Sequence, residues 1–576
     1  MAGLYGFFVR SRRSPEWIAD RLAHMSRGVV RRPFHRSHHV TFAHAAIGIS
    51  GPDLLAGCLQ SHVHPSGAAM VAEGEVYRGI PWADVLDTWC RGGAGALAGL
   101  DGLYNLVRYD QAEGPALRIL SDRYGSRRLF VHDDGDAYVF ASDFAAVLAW
   151  MGPAAAVDRR FVEETVCLGA PLRGATWVQG VRLLDPATEL RVTRDGVSAC
   201  RHWHWESLPE AGTIRVDDPV AETYERWREV LAVRLGGESV GQQLSGGLDS
   251  RLILAVASAQ RQPWPTLTYG VPGADEVRFA ARAARAAGSP WTLLELPGPS
   301  WVSSRVALSL ENGGFLDVLN AHPAGRLEEI GRVFRFELSG FAGDATMGET
   351  FRNIDANGVF DKLPYWSSPV SLPEEEVRRR IGEDMGTTPP WSYIMDTKVR
   401  RSTNGWPHLA PPDLEVRKPF LDYRFLEFCA GLPPALRTAS HLHVAILRRY
   451  HPRLARIPIQ QTGVVAGASR ARRYGMAAVR RAYRAARAAG VPLAPWVRGA
   501  FDLDLWLSEP SIERALRADL LATDACIRGY FDPVAIESVL ERTFRTGGIA
   551  HQIAFNLLRV EHVLRRLPAW LRPEPA

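Results

Sequence analysis

Six consecutive residues, Ser245-Gly246-Gly247-Leu248-Asp249-Ser250, combine the types needed to hold a polyphosphate. Two adjacent glycines let the backbone turn tightly and come close to a ligand. Where a helix follows such a turn, its first N–H groups and the positive end of its dipole face that ligand. Ser245 and Ser250 add hydroxyl donors. Asp249 would repel a phosphate unless a cation lay between them, which points to Mg2+. No Gly-Lys-Ser/Thr follows, so this is not a Walker loop. A second turn, Ser339-Gly340-Phe341-Ala342-Gly343-Asp344, offers two more glycines and a second carboxylate. The plainer reading of each segment is a capped glycine turn with a solvated aspartate.

The surrounding pattern sets these turns at one edge of a sheet. Ser239–Leu244 reads as a short strand and Arg251–Gln260 as a helix. Thr266–Val271 is a second strand, and Asp275–Gly288 a helix stopped by its glycine. Trp291–Leu296 is a third strand, and Phe334–Gly340 a later one. Strand, helix, strand, helix, strand is the signature of a parallel, doubly wound sheet, which gathers its strand ends along one edge. Two carboxylates there can hold Mg2+ against phosphates.

The first ~210 residues differ, with short strand-like runs at 40–50, 68–78, 102–110, 117–133 and 137–143. Residues 208–219 form a turn-rich boundary, and a helix is expected over roughly 219–235. Beyond ~390 the chain reads as mainly helical. In the last helix Ile553, Leu557, Val560 and Leu564 fall on one stripe.

The chain has 576 residues, 46% hydrophobic and 23% charged, an ordinary globular composition of two to four domains. No apolar run reaches the ~18 residues of a membrane helix. At the N-terminus a very short apolar patch precedes the charges, the reverse of a signal peptide. The net charge of +5 is a weak argument for nucleic acid. Six widely spaced cysteines form no zinc pattern and read as free thiols in a reducing cytoplasm.

The hexapeptide resembles the pyrophosphate loop of ATP pyrophosphatases, specifically of the asparagine synthetase group. The similarity extends along nearly the whole chain. Residues 267–288 look like that group's second strand and acidic helix start, Ser339–Asp344 its SGxGxD turn, and 416–437 its RxPFLD segment. In the first half, 73–78, 99–110, 122–130 and 140–149 match its glutaminase-type domain in order. The resemblance implies an α/β protein in two parts. Residues 1–210 would form an N-terminal nucleophile (glutaminase-like) α/β/β/α sandwich. Residues 215–576 would form a doubly wound parallel-sheet ATP pyrophosphatase domain with a helical C-terminal part.

It also implies ATP and Mg2+, and a carboxylate activated as an acyl-adenylate that an amine then attacks. Ser245, Asp249 and Asp344 take the catalytic roles, with Mg2+ on Asp249 and Asp344. Ser245, Gly246, Gly247, Asp249 and Ser250 hold pyrophosphate. Backbone at Leu244, Tyr269 and Gly340, with Ser339 nearby, receives adenine.

Departures from the family pattern narrow the reading. In the glutamine-using members a cysteine directly follows the initiator methionine; here Ala2 stands in that place and offers no nucleophile. The first domain is therefore expected not to hydrolyse glutamine. β-Lactam synthetases carry a tyrosine in the second turn, where this chain has Phe341, which cannot take part in proton transfer. The synthetases also carry a late lysine, where this chain has Ile457-Pro458-Ile459-Gln460-Gln461-Thr462-Gly463. The Pro458…Thr462-Gly463 ending and the terminal stretch LLRVEHVLRRL (557–567) resemble lasso-peptide macrolactam cyclases. That resemblance implies a peptide substrate (a lasso core), a leader-binding protein, a leader peptidase, and no nucleic acid. The competing readings are a small-molecule β-lactam or amide synthetase, a non-catalytic scaffold, and a tRNA-modifying pyrophosphatase.

Other features read as structural. Lys418 reads as a surface charge, with replacement of the missing lysine as the alternative. His441 and His443 lack a third ligand and read as packing or solvent-facing. The arginine-rich stretch Ser469–Gly490 and the cluster at 31–39 read as solvated faces.

Overall fold

The computed structural model describes residues 3–29, 35–52, 57–111, 114–169, 172, 174–237, 239–296, 301–348, 354–402, 414–546 and 549–572. Its first part is two six-stranded antiparallel sheets laid face to face. One runs, in spatial order, Val181–Leu183, Phe130–Asp133, Ala137–Ala141, Gly3–Val9, Ala45–Pro52 and His35–Thr41. The other runs Val197–Arg201, Thr188–Val192, Ala116–Ser121, Gly102–Asp110, Ala69–Val76 and Leu59–Val63.

Strand β1 (Gly3–Val9) shows why the layers form. Alternate side chains on a strand point to opposite faces. Leu4 and Phe8 enter the core between the sheets, beside Val71, Val107 and Phe140. Tyr5, Phe7 and Val9 face the other way, toward the helices Pro15–Val29 and Phe144–Met151. On the outer face of the second sheet, Val85, Leu86 and Trp89 of the helix Trp82–Gly92 cover Met70, Ala72 and Leu106. The result is the expected α/β/β/α sandwich. The run 40–50 is two strands of a hairpin rather than one, because the chain turns at 42–44. The run 117–133 is likewise two strands, with 122–129 turned out of the sheet.

The second part holds a five-stranded sheet of β2 (Val240–Gln243), β3 (Thr266–Gly270), β4 (Trp291–Glu295), β5 (Phe336–Leu338) and β6 (Glu415–Arg417). Their order is β4-β3-β2-β5-β6, and every pairing is parallel. The chain steps outward from β2 in one direction, then restarts on its other side with β5. That reversal leaves a crevice at the carboxyl ends of β2 and β5. Helices α1 (Asp249–Gln260) and α2 (Asp275–Ala287) pack in one core with Leu244 and Leu338. Gly288 ends α2 in the left-handed conformation, at φ +68°.

Three later helices matter below: α3 (His441–Tyr450), α4 (Arg470–Ala488) and α5 (Ile549–Leu571). The stripe Ile553, Leu557, Val560 and Leu564 of α5 is buried as expected. It enters the core that Phe144, Phe161 and Trp177 build on the first sheet. The end of the chain thus closes over the sandwich. No helix among the described residues is long and apolar enough to cross a membrane, and the six cysteines are free thiols.

Candidate active site

The glycine turn is held together by its own two hydroxyls. Ser245 Oγ and Ser250 Oγ lie 2.8 Å apart across it. Ser250 Oγ accepts the Ser245 N–H at 3.2 Å, and Ser245 Oγ accepts the Gly247 N–H at 3.1 Å. Helix α1 begins on Leu248 with no side chain capping it. Its first N–H groups are therefore free for an anion.

Arg251, fully buried, fixes the turn from behind. Its guanidinium donates to Ile457 O at 2.7 Å, Pro458 O at 2.9 Å and Gly246 O at 3.2 Å. Burial pulls its pKa down to about 10. Gln460 N–H also donates to Gly246 O, at 3.1 Å. An added Cβ on Gly246 would lie 2.8 Å from Gln460 Cβ, so this approach requires glycine.

The second turn closes from the opposite side. Ala342 is left-handed at φ +66°, and Gly343 begins the short helix that carries Asp344. A Cβ on Gly343 would lie 2.4 Å from Asp249 Cγ and Oδ1, so the two turns press together at the carboxylate. Ala439 and Ser440 are left-handed as well, at φ +51° and +57°, and Ser440 lines the same cavity. Each such residue costs about 1–2 kcal/mol, so strain collects around this crevice.

Between the turns lies a cavity of about 480 Å3. Of the residues expected at the site, Ser245, Gly247, Asp249, Ser250, Tyr269, Ser339, Gly340 and Asp344 line it. Leu244 and Gly246 do not. Leu244 N–H donates to Leu267 O and its carbonyl accepts from Thr268 Oγ1, so the sheet uses its backbone.

The wall also contains Gln243, Glu337 and Ser440, which sequence reasoning missed, and three residues it named only as departures from the family pattern. Gln243 Nε2 donates to the buried Glu337 at 2.9 Å. Phe341 presents an apolar ring. Ile459 and Gln461 come from the segment where the resembling synthetases carry lysine. That segment does reach the cavity, with an aliphatic chain and an amide.

The two carboxylates suit a hard cation. Burial first, then repulsion from Asp249, raises the pKa of Asp344, while His443 lowers it. Asp249 Oδ1 is buried, with no aligned hydrogen bond but with His443 Nε2 2.8 Å away. Oxygens so placed fit Mg2+, which takes carboxylates together with substrate phosphates. No group of three or more His, Cys, Asp or Glu converges on a metal site among the described residues, so phosphates would complete the shell.

His443 neither faces solvent nor merely packs. It is 1% exposed, and its Nε2 lies 2.8 Å from Asp249 Oδ1.

Lys418 corrects another expectation. It is not a surface charge but 2% exposed. Its Nζ donates to Ser126 O at 3.0 Å and lies 5.5 Å from the Phe341 ring centre, outside the cavity lining. Burial pulls its pKa down to about 7, against the attraction of Asp122. The folded value is thus below the ~10.4 of an unfolded lysine. Between those values the unfolded chain binds more protons, so this residue's contribution makes stability rise with pH from about 7 to 10 and leaves it flat below. Urea melts of the wild type and Lys418→Met should therefore diverge over that window, the wild type gaining on the variant. Parallel pH profiles would refute a buried, deprotonating Lys418.

In the first part the buried Glu73 carboxylate accepts from Ser142 Oγ and Asn105 Nδ2, both at 2.6 Å, and from the Leu4 N–H at 3.3 Å. Ala2 itself lies outside the described residues.

Comparison with known proteins agrees with this arrangement. The family model for the glutamine amidotransferase domain matches residues 83–204, and that for asparagine synthase matches 230–385 and 411–455. The chain is 24% identical over 405 residues to the Bacillus subtilis (strain 168) protein Asparagine synthetase (glutamine-hydrolyzing) 3. The alignment takes in 61% of this chain and 64% of the relative, so the chain spans a little under two thirds of that relative's length. Among solved structures, the B. subtilis glutamine phosphoribosylpyrophosphate amidotransferase complexed with ADP and GMP is similar at 14% identity and TM-score 0.24. That match covers 50% of this chain and 65% of the other. A structure of the allosteric regulatory enzyme of purine biosynthesis is similar at 12% identity and TM-score 0.24, over 50% and 80%.

Proposed function

The chain belongs to the asparagine synthetase family, and from that premise we propose that it forms an amide bond at the expense of ATP. A substrate carboxylate attacks the α-phosphorus, and the bond from that phosphorus to the bridging oxygen breaks. Pyrophosphate leaves, carrying the electron pair. The Ser245 and Ser250 hydroxyls and the N–H groups opening α1 receive it. Asp249 and Asp344 would hold Mg2+, which when bound neutralises phosphate charge as it builds up. An amine nitrogen then attacks the acyl carbon, AMP departs, and the amine loses one proton. Holding the reactants in place contributes ~7–11 kcal/mol to such a step, so little base is required of the protein. The observation that carries this reading is the pair of carboxylates brought together by the two turns at the sheet's switch point.

The amine donor is read as part of a peptide. The first domain is read as releasing no ammonia. Phe341 in the cavity wall, and Ile459 and Gln461 in place of a lysine, count against β-lactam closure. The reaction proposed is therefore macrolactam closure of a leader-cleaved lasso core peptide, between its N-terminal amine and an Asp or Glu side chain. A leader-binding protein and a leader peptidase would act before it. Purified protein incubated with Mg2+, ATP and such a peptide should yield AMP and a peptide lighter by one water, read by mass spectrometry. AMP with an unchanged peptide would move the substrate to a small acid. No AMP with a broad panel of acids would defeat the catalytic reading.

A further inference from the structure

Helix α4 (Arg470–Ala488) carries seven arginines and no acidic residue. Only one face of it touches the protein. Met476, Arg480 and Tyr483, spaced along one side, are partly buried. Arg480 donates to Gln461 O at 3.1 Å, and Arg498 donates to the same oxygen at 3.2 Å. Tyr483 Oη donates to Ala494 O at 2.6 Å and accepts the Trp496 N–H at 2.7 Å. Trp496 in turn donates to Asp275 at 2.8 Å, at the start of α2. Gln461 lines the nucleotide cavity. The helix is thus tied to the rim of the active site.

Its other face is out of keeping with the rest of the molecule. Exposed helices elsewhere in the chain lace their arginines to carboxylates one turn away: Arg159 to Glu163, Arg226 to Glu222, Arg378 to Glu374, Arg517 to Glu513. On α4, Arg470, Arg472, Arg473, Arg481, Arg484 and Arg487 are exposed, and none has a carboxylate partner among the described residues. Arg481, Arg484 and Arg487 follow one another at three-residue spacing, so like charges repel along the helix. Tyr474 and Val479 stand among them, 73% and 53% exposed, and Val491 follows at 45%.

We propose that this face is the docking surface for an acidic peptide segment of the substrate, which it delivers to the neighbouring cavity. The charge is complementary, and it relieves a repulsion that the fold leaves uncompensated. The exposed tyrosine and valines suit apolar side chains of a peptide better than a phosphate backbone. A membrane surface fits less well, because an interfacial helix inserts its apolar face and here Met476 and Tyr483 are already docked on the protein. The proposal rests on the adenylation reading only for what happens after the peptide is delivered.

The test uses the full chain and a fluorescein-labelled peptide of alternating glutamate and leucine. Fluorescence anisotropy at low salt should show binding that weakens as salt is added. The variant R481E/R484E/R487E should lose roughly 10- to 100-fold in affinity, and R481K/R484K/R487K should stay within a few-fold of wild type. Exchange of pyrophosphate into ATP with a small carboxylic acid should be the same in all three, since none of these side chains reaches the cavity. A glutamine-for-glutamate version of the peptide should not bind. No binding of the acidic peptide, equal binding by the charge-reversed variant, or tighter binding of single-stranded DNA or phosphatidylserine vesicles than of the peptide would overturn the proposal. Failure of pyrophosphate exchange in the wild type, with peptide binding intact, would instead count against the adenylation reading alone.

Discussion

Asp249→Asn and Asp344→Asn should each lower AMP release by roughly three orders of magnitude, while thermal stability stays near that of the wild type. Removing one group that stabilises developing charge in a preorganised site costs about 10²–10³ in rate. Here the loss should sit at the upper end if, as proposed, the two carboxylates share one cation. Asp249 has a buried oxygen whose near neighbour is His443 Nε2 at 2.8 Å, and Asp344 has a pKa raised by burial and by Asp249. Neutralising either removes repulsion in the free protein and a ligand in the loaded one. Fold stability should hardly suffer, and activity should. Steady-state AMP release, together with the Mg2+ concentration giving half-maximal rate, checks both halves. A variant retaining more than a tenth of wild-type turnover at ordinary Mg2+ would remove that carboxylate from the mechanism.

Gly343→Ala separates position from charge. The added methyl would meet Asp249 Cγ and Oδ1 at 2.4 Å, closer than any real contact allows. Asp249 must move or the second turn must open, and the loss should match that of the asparagine variants with every charge retained.

The turns that carry this chemistry were legible because their signals are local. Adjacent glycines between a strand and a helix specify a turn and an anion-facing helix start from six residues alone. The parallel sheet followed from alternation of elements, and the α5 stripe from its period.

What could not be read depends on residues far apart in sequence. Lys418 looks like any charged residue beside a proline. Its burial depends on Ser126 and Asp122, nearly 300 positions earlier, being brought beneath it. Nothing in the sequence sets Arg251 apart within its helix. It is buried because three carbonyls of 457–458 and 246 converge on it. The hairpin at 35–52 was hidden for a different reason. The turn at Phe42-Ala43-His44 contains no glycine, proline or asparagine, so nothing in it broke the apparent strand.

The family resemblance picked out 122–130 and 416–437 separately, and the fold explains why both segments matter. They face each other across the seam between the sandwich and the parallel sheet. Arg123 lies 4.0 Å from the Tyr423 ring centre and donates to Glu427 at 2.6 Å. Arg127 pairs with Glu415. Arg417 pairs bidentately with Glu75, at 2.8 and 2.6 Å. The first part thus supplies one side of the seam on which β6 and the following helix rest.

Asp422 is the keystone of that seam, and its removal should produce the largest loss of stability available to a single substitution here. Its carboxylate is fully buried. It accepts from Arg234 at 2.9 Å, from Arg78 at 3.1 Å and from the Phe425 N–H at 3.0 Å, so it both joins the halves and caps the helix Tyr423–Gly431. Burial alone would raise its pKa, but Arg234 and the cap bond carry it below the usual carboxylate range. Its neighbour Asp101 goes the other way, pushed up to about 7 by burial and by Asp422.

Asp422→Ala leaves Arg234, 1% exposed, with a weaker partner and uncaps the helix. Breaking a buried pair by removing one partner costs about 3–5 kcal/mol, and a lost cap adds ~1 kcal/mol. Replacing both partners, as in Arg234→Met with Asp422→Leu, should cost clearly less than the sum of the two single changes, because the remaining Asp101 and Arg78 still face each other at 3.8 Å. Urea denaturation at pH 7.5 of the two single variants and the double variant measures that coupling directly. Additive losses would mean that the ions act independently and that apolar packing alone joins the two parts.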